Sequence, residues 1–91
     1  MSFLSIELNT FTLSVKDTFE IKQGLVVIAY IENGTVYQGD AVDVNGKKDV
    51  IAAMESNGKI LRFAEEGTLI SILLKNISKN DVAVGDSIFS D

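Results

Sequence analysis

The sequence predicts an all-β domain, and three observations carry that reading. Asn-Gly recurs at a spacing of 12 residues, at Asn33-Gly34, Asn45-Gly46 and Asn57-Gly58. Both residues of that dipeptide tolerate positive φ, which makes it the strongest short signal for a tight hairpin turn. Apolar and polar residues alternate strictly near the N-terminus, the period-2 pattern of a half-buried strand. Helical periodicity is nowhere sustained over the roughly 11 residues that a helix requires. Three closely spaced turns predict a meander of short antiparallel strands.

The elements follow in order. Leu4, Ile6 and Leu8 alternate with Ser5 and Glu7, so residues 1–10 are expected to add an extra N-terminal strand. Phe11, Leu13 and Val15 alternate with Thr12 and Ser14 and form the next apolar face. "LVVIAYI" (25–31) and "LISILL" (69–74) are nearly continuous apolar runs, the pattern of strands covered on both sides at the centre of a closed barrel. Between them "AVDV" (41–44), "VIAAME" (50–55) and "ILRFA" (60–64) supply shorter β-rich segments. Proline is absent and no low-complexity tract interrupts the chain, so residues 1–91 are expected to form a single small, closed antiparallel β-barrel.

One phrase occurs twice. Val36-x-x-Gly39-Asp40-x-Val42 returns as Val82-x-x-Gly85-Asp86-x-Ile88. Glycine permits a backbone conformation closed to other residues, and an Asp side chain accepts bonds from backbone amides as a strand begins. The phrase therefore predicts two like corners, not a catalytic or metal-binding pair.

Composition restricts function. Net charge is −5, with 8 Lys or Arg against 13 Asp or Glu, which disfavours general phosphate binding. With 46% hydrophobic and 23% charged residues the chain is globular, and no apolar run approaches the roughly 18–20 residues of a membrane helix. The start lacks a basic segment followed by a long apolar core, so a cytoplasmic protein with no membrane partner is expected. His and Cys are both absent, which removes the usual general base near neutral pH, thiolate chemistry and the commonest metal ligands. No spacing singles out a pair of carboxylates for acid–base work. A non-enzymatic protein follows, with no catalytic residue, cofactor or metal assigned.

The order of the pieces resembles a known family. "FTLSVKDTFEI", "LVVIAYIENGTVYQGDAVDVNG" and "GKILRFAEEGTLISILLKNISKNDVAVGDSIFS" are similar to the second domain of translational GTPases, the β-barrel that follows the nucleotide-binding domain in elongation factor Tu and its relatives. Val15, Asp17, Phe19, Ile21, Gly34, Val36, Gly39, Asp40, Ala64, Gly67, Leu73, Leu74, Lys75, Ile77, Val82 and Gly85 fall in step with that domain's pattern over roughly residues 11–90. The chain contains no Gly-x-x-x-x-Gly-Lys-Ser/Thr phosphate loop and no Asn-Lys-x-Asp motif, so it is not expected to bind GTP. It looks like a stand-alone barrel of that family.

The resemblance implies a site. In elongation factor Tu the barrel helps hold the aminoacylated 3′ end of tRNA, with the terminal adenine in an apolar cleft beside a Glu. The matching positions here are Asp17, Phe19, Ile21, Val26, Glu55 and Leu73, which implies contact with RNA, through a tRNA acceptor end, or with a ribosomal or other translation-associated protein. Apolar walls accept a base face, and one carboxylate accepts bonds from a ribose or an exocyclic amine. The pattern departs at Lys16, Ile28, Gly58 and Leu69, where the family has Glu, Thr, Arg and Asn. From the residues alone, Phe19, Ile21, Val26 and Leu73 read first as inward-facing core, and Glu55 as a solvated strand end. Lys47 with Lys48 reads as a solvated pair, Glu65 with Glu66 as a polar loop, and Tyr30 with Tyr37 as a cross-strand pair. The alternative function is a protein-interaction or self-association barrel without RNA.

Overall fold

A computed structural model of the chain describes residues 10–91. Residues 1–9 of the strand expected within residues 1–10 lie outside the described residues. Ten strands follow: β1 (Thr12–Ile21), β2 (Gly24–Asn33), β3 (Thr35–Tyr37), β4 (Ala41–Val44), β5 (Lys47–Val50), β6 (Ala53–Ser56), β7 (Lys59–Ile60), β8 (Phe63–Glu65), β9 (Leu69–Leu74) and β10 (Ser87–Ser90). Eight form one antiparallel sheet in the order β5-β4-β10-β1-β2-β9-β6-β7, and β3 pairs with β8. The two apolar runs lie side by side within this sheet, as β2 and β9, in register from Leu25 opposite Leu74 to Tyr30 opposite Leu69.

Connectivity forces the sheet to curl. β5 is one edge, and β6 lies one strand from the other edge, yet Val50 and Ala53 are only three residue steps apart, a span of about 11 Å at most. The intervening residues bridge the gap: Ile51 exchanges bonds with the Gly39 amide (2.9 Å) and the Asp40 carbonyl (3.0 Å), while the Ala52 amide donates to the Leu73 carbonyl (2.9 Å). An all-β, barrel-like domain results.

Inside it lie the alternate residues Leu13, Val15, Leu25, Val27, Ala29, Ile31, Ile70, Ile72 and Leu74, all buried. The β1–β2 register shifts twice, first between Thr12 and Leu13, where Glu32 is the extra residue on β2. Between Val15 and Asp17 it shifts again by one residue, so Lys16 is an extra residue on its strand. Such a bulge reverses which side the following residues face. Odd-numbered residues point inward before it and outward after it.

Two of the three Asn-Gly pairs are the expected hairpin turns. Asn45-Gly46 joins β4 to β5 and Asn57-Gly58 joins β6 to β7, with φ of 52° and 90° in the first and 53° and 77° in the second. The third corrects the expected meander. Asn33 ends β2, Gly34 turns the chain, and β3 pairs with β8 rather than β2. Here glycine answers a close approach: at φ 81° a Cβ on Gly34 would overlap the Thr10 carbonyl oxygen and stand 3.0 Å from Phe11 Cα.

The repeated phrase builds the same corner twice. Asp40 Oδ2 accepts from the Tyr37 amide and Asp86 Oδ2 from the Ala83 amide, each at 2.9 Å. The Asp amides return bonds of 3.0 Å to the carbonyls of the same two residues. The intervening Gly39 and Gly85 have φ of 92° and 95°, as at the third position of a type II turn. Even the outer partners match. The Gly39 and Asp40 corner grips Ile51 as the Gly85 and Asp86 corner grips Val15, through one amide and one carbonyl.

Candidate functional site

The bulge at Lys16 exposes what the period-2 pattern would bury. Phe19 is 48% and Ile21 45% exposed, while Val26 and Leu73 are half-buried on the outer side of the sheet. The expectation that these four belong to the core is therefore corrected. Their inward neighbours Leu25, Val27, Ile72 and Leu74 fill that role. Across the outer face Phe19 stands opposite Val26, Val26 opposite Leu73, and Leu73 opposite Ala53. An apolar row thus crosses four strands.

A cleft of about 280 Å³ opens in this face. Ile21, Val26, Leu73, Ala53 and Ile60 form its apolar walls, and Met54 with Ile72 lies beneath. Its polar groups come from Glu55 and Ser71, which are cross-strand partners. Four of the six residues implied by the resemblance, Ile21, Val26, Glu55 and Leu73, therefore meet at one cleft. Phe19 and Asp17 do not line it; they sit on the same outer face opposite Val26 and Ile28. The Asp17 carboxylate is engaged locally, Oδ1 accepting from the Thr18 amide at 2.8 Å.

Ala53 and Ile60 are wall residues missed from the sequence, and Ile60, 85% exposed, is the larger of the two. A signal for Ile60 existed. A two-residue Asn57-Gly58 turn pairs 56 with 59 and 55 with 60, which sets Ile60 directly across from Glu55. The strand end is also anchored, since Ser56 Oγ donates to the Leu69 carbonyl at 3.0 Å.

Several polar expectations change. Lys47 is not simply solvated: it pairs with Asp81 at 3.0 Å, and Lys48 pairs with Asp43 and with Asp91, each at 2.6 Å. Those contacts remove both lysines as a free basic patch. The Asp43 contact, then that of Asp91, raises the Lys48 ammonium above its ordinary value, while Lys48 and the Gly46 amide lower Asp43. The Ser78 amide and Lys47 lower Asp81, and the Asn45 side chain with the Ala83 amide lowers Asp86. Glu66 does more than fill a loop, accepting from the Gly34 amide at 3.3 Å. Tyr37 pairs with Phe63 rather than Tyr30, their ring centroids 5.9 Å apart. Among the described residues no group of three or more acidic side chains gathers as a metal site, and no helix is long and apolar enough to cross a membrane.

Comparison with solved structures bears on this architecture. Over 96% of its length the chain is similar to a bacterial selenocysteine-specific elongation factor, EF-Sec, with 26% identity and a TM-score of 0.83. The fold is that of a translation-factor barrel domain. A second likeness, to GDP-bound aIF5B from Aeropyrum pernix, covers 91% of this chain at 16% identity and a TM-score of 0.79. The chain corresponds to only 16% and 15% of those two proteins. No protein-family model matches it.

Proposed function

We propose that this translation-factor-like barrel is a non-enzymatic binding module whose outer cleft receives the unstacked terminal base of an RNA acceptor end. The observation that carries this reading is the cleft itself: five apolar side chains around Glu55 and Ser71 on an otherwise regular sheet face. Single-stranded RNA is recognised by laying splayed bases on apolar or aromatic surfaces and bonding to their edges, and this cleft offers both elements. Its volume of about 280 Å³ falls just short of the roughly 300–1,000 Å³ of sites that bury drug-sized ligands, which suits one flat base.

Charge restricts the mode. With a net charge of −5, and Lys47 and Lys48 already paired, phosphate neutralisation contributes little, so affinity rests on the base. The test is fluorescence anisotropy with a labelled acceptor stem ending in CCA, against the same stem lacking its terminal adenosine. Stacking of one base is worth about 1–3 kcal/mol, so the shortened stem is expected to bind about 5- to 150-fold more weakly. Equal affinity for the two stems, or no saturable binding to either, refutes the reading. Concentration-dependent association by light scattering without RNA binding would instead identify a self-association barrel.

A further inference from the structure

The three Asn-Gly dipeptides share one intrinsic chemistry but not one environment. In such a pair the glycine amide nitrogen attacks the Asn side-chain carbonyl. A bond forms from that nitrogen to Cγ, the bond from Cγ to Nδ2 breaks, and ammonia departs with the amide proton. Water then opens the resulting succinimide at either carbonyl, leaving aspartate or isoaspartate. Two features decide the rate: whether the attacking nitrogen is free, and whether the leaving amide is held.

At Asn45 both are engaged. The side-chain nitrogen donates to the Asp81 carbonyl and to Asp86 Oδ2, each at 2.9 Å, and the Gly46 amide donates to Asp43 Oδ1 at 2.8 Å. A carboxylate on that N–H also opposes the negative charge the nitrogen develops during attack. At Asn33 the side chain donates to Thr12 Oγ1 at 3.4 Å, the Gly34 amide donates to Glu66 at 3.3 Å, and Asn33 itself lies in β2. Neither the Asn57 side chain nor the Gly58 amide has a hydrogen-bond partner among the described residues, and both residues are exposed.

We infer that Asn57 is a site of spontaneous modification, converting to aspartate or isoaspartate while Asn33 and Asn45 are protected by the fold. The place is not neutral. Asn57 is two residues from Glu55 and borders the groove of about 380 Å³ that continues past Glu55 and Ser71 to Ile28 and Leu69. Conversion adds a negative charge there, and the isoaspartyl form lengthens the β6–β7 turn by one methylene, which disturbs the register that sets Ile60 across from Glu55. Any effect on RNA rests on the function proposed above; the modification itself does not.

The experiment ages the intact protein in mildly alkaline buffer and follows each Asn by peptide mass spectrometry, folded and in concentrated denaturant. In the folded protein Asn57 is expected to convert about tenfold faster than Asn33 or Asn45, the factor one or two ordinary hydrogen bonds are worth. In denaturant the three rates converge. Equal rates in the folded state overturn the inference, as does a lead of Asn57 that persists undiminished on unfolding. RNA binding does not enter the readout, so this result and that of the acceptor-stem test are independent.

Discussion

Replacing Gly34 with alanine places a methyl group where the chain already runs. The new Cβ overlaps the Thr10 carbonyl oxygen and lies 3.0 Å from both Phe11 Cα and Cβ, and the first two of these atoms are backbone that has no rotamer to move into. Two costs add. Holding a non-glycine residue in the left-handed region costs about 1–2 kcal/mol, and overpacking adds about 1–3 kcal/mol. Gly39→Ala is the matched control, because φ there is 92° but nothing lies within 4 Å of the added carbon. The expected difference between the two variants is therefore about 2 kcal/mol, or about 8–16 °C in Tm for a domain of this size. Thermal unfolding followed by far-UV circular dichroism, with urea midpoints at constant slope, measures it. Equal losses in the two variants would refute the close approach that makes Gly34 a corner rather than a hairpin.

Other consequences follow from the same geometry. Asp49 is buried and accepts from the Val50 amide at 2.7 Å and from the backbone and side-chain nitrogens of Asn76 at 2.8 and 3.1 Å, so Asp49→Ala removes the acceptor of three donors and is expected to cost about 1–3 kcal/mol in urea unfolding. The carboxyls of Asp43, Asp81 and Asp86 are held below their ordinary value of 3.8, so their contribution is complete above that value and is lost as pH falls through the lower folded values. Urea midpoints recorded against pH should fall in that acid range, and Asp86→Ala should make the fall shallower. Lys48 has the opposite sign: its contribution is complete below 10.5 and disappears as pH rises through its higher folded value. Ile60→Glu changes a side chain that is 85% exposed, so stability should hold within about 0.5 kcal/mol. The same change puts a charge on the cleft wall and is expected to weaken acceptor-stem binding by about tenfold in the anisotropy assay.

Much of the fold was legible because local chemistry and global topology agree. Asn45-Gly46 and Asn57-Gly58 form the tight hairpins their local chemistry favours, and the alternation at Phe11, Leu13 and Val15 names its buried face directly. The two Gly-Asp corners were legible for the same reason, since glycine's positive φ and an Asp that accepts a nearby amide are local properties. Asn33-Gly34 misled because the feature that decides it, the approach of Thr10, is 24 residues distant in sequence. Phe19 and Ile21 misled for a subtler reason. Nothing in "SVKDTFEI" marks Lys16 as the bulged residue, and one extra residue reverses every side chain after it. The positions of the cleft came from resemblance, whereas their outward direction came only from the register. Ile60 stood within reach of turn geometry alone, and the pairings of Lys47 with Asp81 and Lys48 with Asp91 did not, since each partner arrives from a distant part of the chain.

The most direct test of the binding account is an amide NMR titration of the isotope-labelled protein with a CCA-ended acceptor stem, uncharged and then aminoacylated, at moderate salt. The account predicts saturable shifts confined to the outer face around Ile21, Val26, Glu55, Ile60 and Leu73, with the corners at Asp40 and Asp86 unmoved. A well-dispersed spectrum in which those resonances stay still, or shifts that centre instead on Tyr37 and Phe63, would contradict it.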